Sequence, residues 1–333
     1  MSKLIDTYGR IHRDLRVSLT DRCNLRCTYC MPAEFNNWLP NDDLLTTEEL
    51  MLVIQIAVNS GIDEVRLTGG EPLLRPDIID IVSRISKLTN APKLSLTTNA
   101  IRLAQLAKSL KAAGLVRINV SLDTLQPERF NQMTHRDRFT DVLDGLAAAK
   151  TSGLTPIKIN TVLMPGVNDD EAKDLLRWAI ANEYELRFIE QMPLDAGGTW
   201  NRSNMITADQ VFESLAEEFK LTPAQNRGSA PAELFYVDGG PATVGIIASV
   251  TRPFCGDCDR LRLTSDGQIR SCLFSRTETD IRHILRDAQL THEQKIAHIE
   301  KLFIQTVSAK LPGHGINNPE FIQPSRPMSA IGG

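Results

Sequence analysis

Six short apolar runs alternate with amphipathic stretches over the first 190 residues, and that rhythm narrows the fold more than any other feature of the chain. The runs are Arg16–Leu19, Glu64–Thr68, Lys93–Thr97, Arg117–Leu122, Ile157–Leu163 and Leu186–Glu190. Helical periodicity fills the spaces between them, at about Thr47–Ser60, Pro76–Leu88, Leu103–Ala113, Phe139–Ser152 and Asp170–Asn182. Strands of mostly Val, Ile and Leu alternating with helices predict a parallel sheet covered by helices. Six such units fit a partial (βα)6 barrel within an α/β fold. Thr46 followed three residues later by Glu49 reads as a capping box. Gly61, Gly114 and Gly153 each follow a helical run, where a glycine C-cap belongs.

After about residue 192 the rhythm stops. Residues 192–200 read as a loop, Ala208–Glu218 as a helix, and Thr222–Gly228 as polar and mobile. Short strands follow at Leu234–Val237, Thr243–Ala248, Arg260–Leu263 and Gln268–Arg270, with Asp266-Gly267 a hairpin signal. Two helices, near Asp280–Arg286 and His292–Lys310, precede a Pro/Gly-rich tail. The chain is therefore divided into a barrel over residues 5–225 and a smaller α+β region over 226–333.

The six cysteines fall into two triplets. Cys23, Cys27 and Cys30 form Cys-x3-Cys-x2-Cys directly after the first strand, at the strand end where parallel α/β folds place their sites. Three thiolates can hold a [4Fe–4S] cluster but leave one of its four irons open for chemistry. No His or fourth Cys stands at zinc spacing beside them, which disfavours a structural zinc site. Cys255, Cys258 and Cys272 form the second triplet. On its residues alone it suits structural zinc as well as an iron–sulfur cluster.

Bulk properties exclude several classes. A formal net charge of -4 and a pI of about 5.9 favour neither nucleic acid nor an anionic membrane. No apolar run reaches the roughly 18 residues of a membrane span, and the polar N-terminus has no signal-peptide core. Odd-numbered cysteine clusters suit metal better than disulfides, so a reducing cytoplasm is expected.

The first triplet with Tyr29, followed by Thr68-Gly-Gly-Glu-Pro72, resembles the radical S-adenosylmethionine enzymes. In that family the open iron chelates the methionine moiety, and the Gly-Gly-Glu-Pro stretch lines its amino group. Glycines permit close backbone approach, and a nearby carboxylate favours an ammonium. The second triplet with Arg260 and Arg262, together with Arg16 and a terminal Gly332-Gly333, narrows the resemblance to the GTP 3′,8-cyclase family of molybdenum-cofactor biosynthesis. It extends over nearly the whole chain and includes Leu96-Thr-Thr-Asn99, Asn119-Val-Ser-Leu-Asp123 and Arg187-Phe-Ile-Glu-Gln-Met192.

The resemblance implies two [4Fe–4S] clusters, one on Cys23, Cys27 and Cys30 and one on Cys255, Cys258 and Cys272. It implies S-adenosylmethionine contacts at Tyr29, Gly70, Ser121 and Met192, and GTP contacts at Arg16, Arg66, Thr97, Lys158, Arg260 and Arg262. Arg187 is a further candidate for the triphosphate, and the Gly-Gly tail is expected to reach into the site. Glu64 departs from the family pattern, standing where some relatives carry a basic residue, and it weakens local anion attraction slightly.

Each of these residues also has a plainer reading. Arg66 and Lys158 suit snorkelling to the sheet rim, Arg260 and Arg262 a solvated strand face, and Ser121 and Thr97 backbone-satisfying hydroxyls. Met192 suits a core position and the Gly-Gly tail a frayed end.

The implied reaction removes the ribose C3′ hydrogen of GTP with a 5′-deoxyadenosyl radical and joins C3′ to guanine C8. Its partners are GTP, an external electron donor and the next enzyme of molybdopterin synthesis, and a homodimer is compatible with the sequence. Two other readings remain at this point: a different two-cluster radical enzyme, disfavoured by the incomplete second triplet and the arginine pair, and a zinc-stabilised or electron-carrying module.

Overall fold

The computed structural model describes residues 3–195, 197–225 and 227–332. Six parallel strands form its centre: β1 Asp14–Ser18, β2 Glu64–Thr68, β3 Lys93–Thr98, β4 Arg117–Ser121, β5 Ile157–Thr161 and β6 Glu185–Ile189. The connecting helices are α1 Thr47–Asn59, α2 Ile78–Ser86, α3 Leu103–Ala112, α4 Pro127–Thr134, α5 Phe139–Thr151 and α6 Ala172–Ala181. The strands lie side by side in chain order, each paired in parallel with the next.

These strands are not the uniformly apolar runs expected. Leu15 and Val17, Val65 and Leu67, Leu94 and Leu96, Ile118 and Val120, and Ile157 and Ile159 are buried in one core cluster with the helices. The residues between them are Arg16, Arg66, Ser95, Asn119 and Lys158. Successive side chains of a strand point to opposite faces, so the helix-facing side is apolar and the inner side is polar. A parallel sheet buried on both faces would lack this alternation. Here the inner face lines a polar lumen instead of a packed core.

Local signals explain the element ends. Thr46 Oγ1 accepts from Glu49 N at 3.2 Å while Glu49 Oε2 accepts from Thr46 N at 2.8 Å, which completes the capping box at α1. Gly61, Gly114 and Gly153 all have positive φ. The sequence reading missed α4, whose start carries Pro127 and whose apolar side chains, Phe130 and Met133, stand one turn apart and are buried.

The chain beyond β6 extends the same sheet at both edges. After α7 (Ala208–Ala216), β7 Leu221–Pro223, β8 Glu233–Val237 and β9 Thr243–Ile247 form an antiparallel meander whose last strand pairs in parallel with β6. On the opposite edge β10 Arg260–Leu263 pairs in parallel with β1 and continues into β11 Gln268–Arg270 and β12 Thr279–Asp280. The stretch expected to be mobile after residue 222 thus begins inside a strand. Leu221 pairs with Val237 and packs against the core, and that anchors it. Helices α8 Arg282–Arg286 and α9 His292–Ser308 cover this side, and α10 Met328–Ile331 ends the tail. Gly333, the last residue of the expected Gly-Gly tail, lies outside the described residues, as does Asn226 at the expected domain boundary. Among the described residues no helix is long and apolar enough to cross a membrane.

Candidate active site

The first triplet sits on the loop that leaves β1. Cys30 N and Met31 N both donate to Cys27 O at 2.9 Å, which coils the second half of the loop into a tight turn. The end of β2 presses against its first half. A Cβ on Gly69 would fall 2.4 Å from Thr20 O, and one on Gly70 would fall 2.4 Å from Arg22 O. No real Cβ contact is that short, so both glycines are required by this backbone crossing, with Gly69 also at φ +149. Tyr29 Oη donates to Asp123 Oδ2 at 2.8 Å, and Asp123 Oδ1 accepts from Val162 N at 2.8 Å, which ties the cysteine loop to the ends of β4 and β5.

Glu71 differs from expectation. It is 1% exposed, and its carboxylate accepts from Leu73 N, Thr98 Oγ1 and Asn99 N at 2.7–2.9 Å. It therefore faces inward and pins the loop after β3, instead of presenting itself to an ammonium. Burial pushes it up to about 7, with these hydrogen bonds pulling the other way.

The three thiols line one cavity of ≈ 280 Å³ together with Tyr29, Gly70, Ser121 and Met192. Burial raises Cys23 to about 11 and Cys30 to about 12, and it holds Cys27 well above its ordinary value with help from Asp123 and its two neighbouring thiols. Thiols this reluctant to ionise become thiolates only when a metal replaces their protons. Among the described residues no three His, Cys, Asp or Glu side chains converge on a point for a single ion.

Arginines line the other end of the same cavity. Arg16 stands in register with Arg66 on one side and Arg262 on the other, which makes a row of three cations across adjacent strands. Arg187 on β6 and Arg260 on β10 line it too. Burial and mutual repulsion lower Arg16 well below its ordinary value and bring Arg262 to about 10. Burial also brings Arg187 to about 10. Nε of Arg16, Arg187 and Arg260 is buried without a hydrogen-bond partner. Carboxylates two residues earlier in each strand make only loose ion pairs with these arginines: Asp14 is 4.0 Å from Arg16, Glu64 is 3.8 Å from Arg66, and Glu185 is 3.8 Å from Arg187. Glu64 pairs instead with Arg117. Buried like charges with spare donors form a receptor for a polyanion.

The tail reaches this lumen. A Cβ on Gly332 would meet Ser18 and Thr68 at 2.9 Å, and Arg262 Nη1 donates to Gly332 O. Met328 and Ser329 complete the wall beside the first triplet. Thr97, also on the cavity, accepts from Asn119 Nδ2 at 3.3 Å. Lys158 is not among the residues lining it; its Nζ lies 3.0 Å from Glu185 Oε2. Asn160, two residues further along β5, does line it, and its Oδ1 is buried and unpartnered. The sequence reading passed over Asn160, although its alternation with Lys158 on one strand face is visible in the sequence.

The second triplet lines a separate cavity with Arg10, Lys310 and His314. Arg10 donates to Cys255 O at 2.7 Å, and Lys310 Nζ stands 3.5 Å from Cys258 Sγ. Burial alone would raise Cys258, but Arg260 and Lys310 bring it down to about 7. Burial, with help from the neighbouring thiols, raises Cys255. Phe254, next to Cys255, has its ring centroid 4.4 Å from the Arg260 guanidinium and lines the arginine-bearing cavity.

Residues 17–179 match the Radical SAM superfamily, and residues 184–316 match the family described as Molybdenum Cofactor Synthesis C. A GTP 3′,8-cyclase of Streptomyces coelicolor is 60% identical, with the match covering 99% of this chain and 96% of that protein. The chain belongs to the GTP 3′,8-cyclase family. A second member, from Mycolicibacterium smegmatis, is 55% identical over 99% of this chain and 92% of its own length. Among solved structures, S-adenosylmethionine-bound SuiB of Streptococcus suis has a TM-score of 0.57 at 16% identity, covering 83% of this chain and 63% of SuiB, so this chain spans less than two thirds of that protein's length. AdoMet-bound anSMEcpe has a TM-score of 0.54 at 15% identity, covering 90% of this chain and 84% of its own. At these identities they speak to the fold alone, a radical SAM α/β fold.

Proposed function

We propose that this chain cyclises GTP to 3′,8-cyclo-7,8-dihydro-GTP as a radical S-adenosylmethionine enzyme, an early step of molybdenum-cofactor biosynthesis. The observation that carries the reading is one cavity lined both by three thiols and by five arginines, of which Arg16, Arg187 and Arg260 keep a buried Nε without a hydrogen-bond partner. A reduced cluster held by Cys23, Cys27 and Cys30, together with S-adenosylmethionine, would supply the radical chemistry that takes the ribose C3′ hydrogen, and closure of C3′ onto C8 would then need one further electron and a proton on the base to give the dihydro product.

The chain's own residues hold, orient and exclude. Tyr29, Gly70, Ser121 and Met192 receive the cofactor, with Tyr29 fixed in place by Asp123. Arg16, Arg66, Arg187, Arg260 and Arg262 take the triphosphate, whose charge relieves their mutual repulsion, and Thr97 lies beside them. Lys158 tunes the rim through Glu185. Cys255, Cys258 and Cys272 hold the second cluster and, through it, the purine. Met328, Ser329 and Gly332 close the lumen against water and set the reacting groups at fixed distance. The reaction needs an external electron donor and hands its product to the next enzyme of molybdopterin synthesis. Six free cysteines suit a reducing, cytoplasmic setting.

The test is anaerobic turnover of the iron-reconstituted protein with S-adenosylmethionine, a strong reductant and GTP, read by liquid chromatography and mass spectrometry. GTP-dependent 5′-deoxyadenosine with a cyclised nucleotide of the same mass as GTP is the expected result. Cofactor cleavage indifferent to GTP would overturn the substrate assignment.

A further inference from the structure

Lys310 follows α9 and is 4% exposed. Its Nζ donates to Arg260 O at 2.8 Å and lies 3.4 Å from Cys258 O and 3.5 Å from Cys258 Sγ. No carboxylate pairs with it among the described residues. A buried ammonium without a counter-ion is costly, so this position calls for an anion, and the nearest candidate is the sulfur of Cys258.

The neighbouring cation behaves differently. Arg10 Nε meets Asp6 Oδ2 at 2.5 Å, and its other nitrogens donate to the carbonyls of Cys255, Leu311 and Pro312 at 2.7–3.1 Å. Asp6 neutralises Arg10, which leaves Arg10 to brace the backbone around Cys255. Lys310 keeps its charge for the sulfur. At the first triplet the side-chain donor to a sulfur is neutral, Asn99 Nδ2 at 3.9 Å from Cys23 Sγ, and the cation nearby, Arg26, donates to the carbonyls of Cys23 and Leu25 at 2.8 Å.

We infer that Lys310 is a positioning residue of the second cluster, acting through Cys258: its ammonium seats that thiolate and raises the cluster's reduction potential relative to a neutral residue. The physical basis is simple. Reduction adds negative charge to the cluster, and a fixed positive charge at the ligating sulfur stabilises the reduced form. The inference rests on the two-cluster reading proposed above.

The test uses reconstituted holoprotein in three forms, wild type, Lys310→Arg and Lys310→Gln, with iron content, thermal unfolding and an EPR-monitored redox titration of each cluster. Lys310→Gln retains a neutral donor for Arg260 O, so loss of a hydrogen bond is separated from loss of charge. The expected result is a second-cluster potential shifted to more negative values, or loss of that cluster's iron, in Lys310→Gln. Lys310→Arg stays near wild type, and the first cluster's potential is unchanged in all three. A Lys310→Gln protein with full iron and an unshifted second-cluster potential overturns the inference. So do equal shifts in Lys310→Arg and Lys310→Gln, because charge would then not be the cause. Wild-type protein that binds only one cluster overturns the two-cluster reading itself, an outcome visible before any variant is made.

Discussion

The first triplet lies on one short loop, whereas the second is gathered from the turn before β10 and the end of β11, with Lys310 after α9 and Arg10 near the N-terminus packed against it. Their electrostatic surroundings differ in sign. Glu71, Asp123 and Asp195 act on the first triplet, with Arg26 the opposing cation. Arg260 and Lys310 act on the second. Under the proposed function, the acidic neighbours of the first triplet suit a ligand that carries a sulfonium and an ammonium, and the cations beside the second suit its thiolates at the purine end of a nucleotide whose triphosphate lies on the arginine row. On that reading the same three-thiol device serves two different ligands, because the surrounding side chains choose between them.

Breaking that division of labour should give graded effects. Cys27→Ser is expected to abolish both cofactor cleavage and GTP cyclisation while leaving GTP binding by equilibrium dialysis close to wild type. Cys258→Ser is expected to keep 5′-deoxyadenosine formation but lose cyclised product, so the ratio of the two, measured by mass spectrometry, rises steeply. Arg16→Ala removes the centre of the cation row. Hydrogen bonds to charged groups contribute roughly 1.5–3 kcal/mol, so GTP affinity should fall about 10- to 150-fold with cofactor affinity unchanged. Gly70→Ala drives a Cβ into the backbone of Asp21 and Arg22. It should cost roughly 1–3 kcal/mol in urea unfolding and lower the iron held by the first triplet, leaving the second loaded.

The smallest effect concerns the N-terminal brace of the second triplet. Burial pulls His12 down to about 4, against the opposing pull of Asp6. An unfolded histidine titrates near ~6.5, so the neutral form's stabilisation is present above about pH 6.5 and is lost as pH falls towards 4. His12→Gln should flatten stability across that window by about 1–3 kcal/mol, read by urea unfolding at several pH values.

Much of this was legible in the sequence. Most strand and helix positions followed from apolar runs alternating with helical periodicity, α4 and β7 excepted, and the cysteine spacings marked the two thiol triplets that line cavities in the fold. The polar lumen was harder to see, because Arg16, Arg66 and Lys158 stood out one at a time, whereas the alternation that joins them with Asn119, Asn160 and Arg187 belongs to the sheet. The Gly-Gly-Glu-Pro motif could be located but not oriented: nothing local says that Glu71 turns inward to hold Thr98 and Asn99. Lys310 carried no signal at all. A single lysine after an amphipathic helix is ordinary, and its place beside Cys258 shows only in the fold.

The most direct test of the central claim compares two iron-loaded variants by EPR, one with Cys23, Cys27 and Cys30 all replaced by Ser and one with Cys255, Cys258 and Cys272 all replaced. Each is titrated with S-adenosylmethionine and with GTP. The account predicts that the cofactor perturbs only the cluster that survives on the first triplet and GTP only the one on the second. A GTP-induced change in the first cluster's spectrum, with none in the second's, would contradict it.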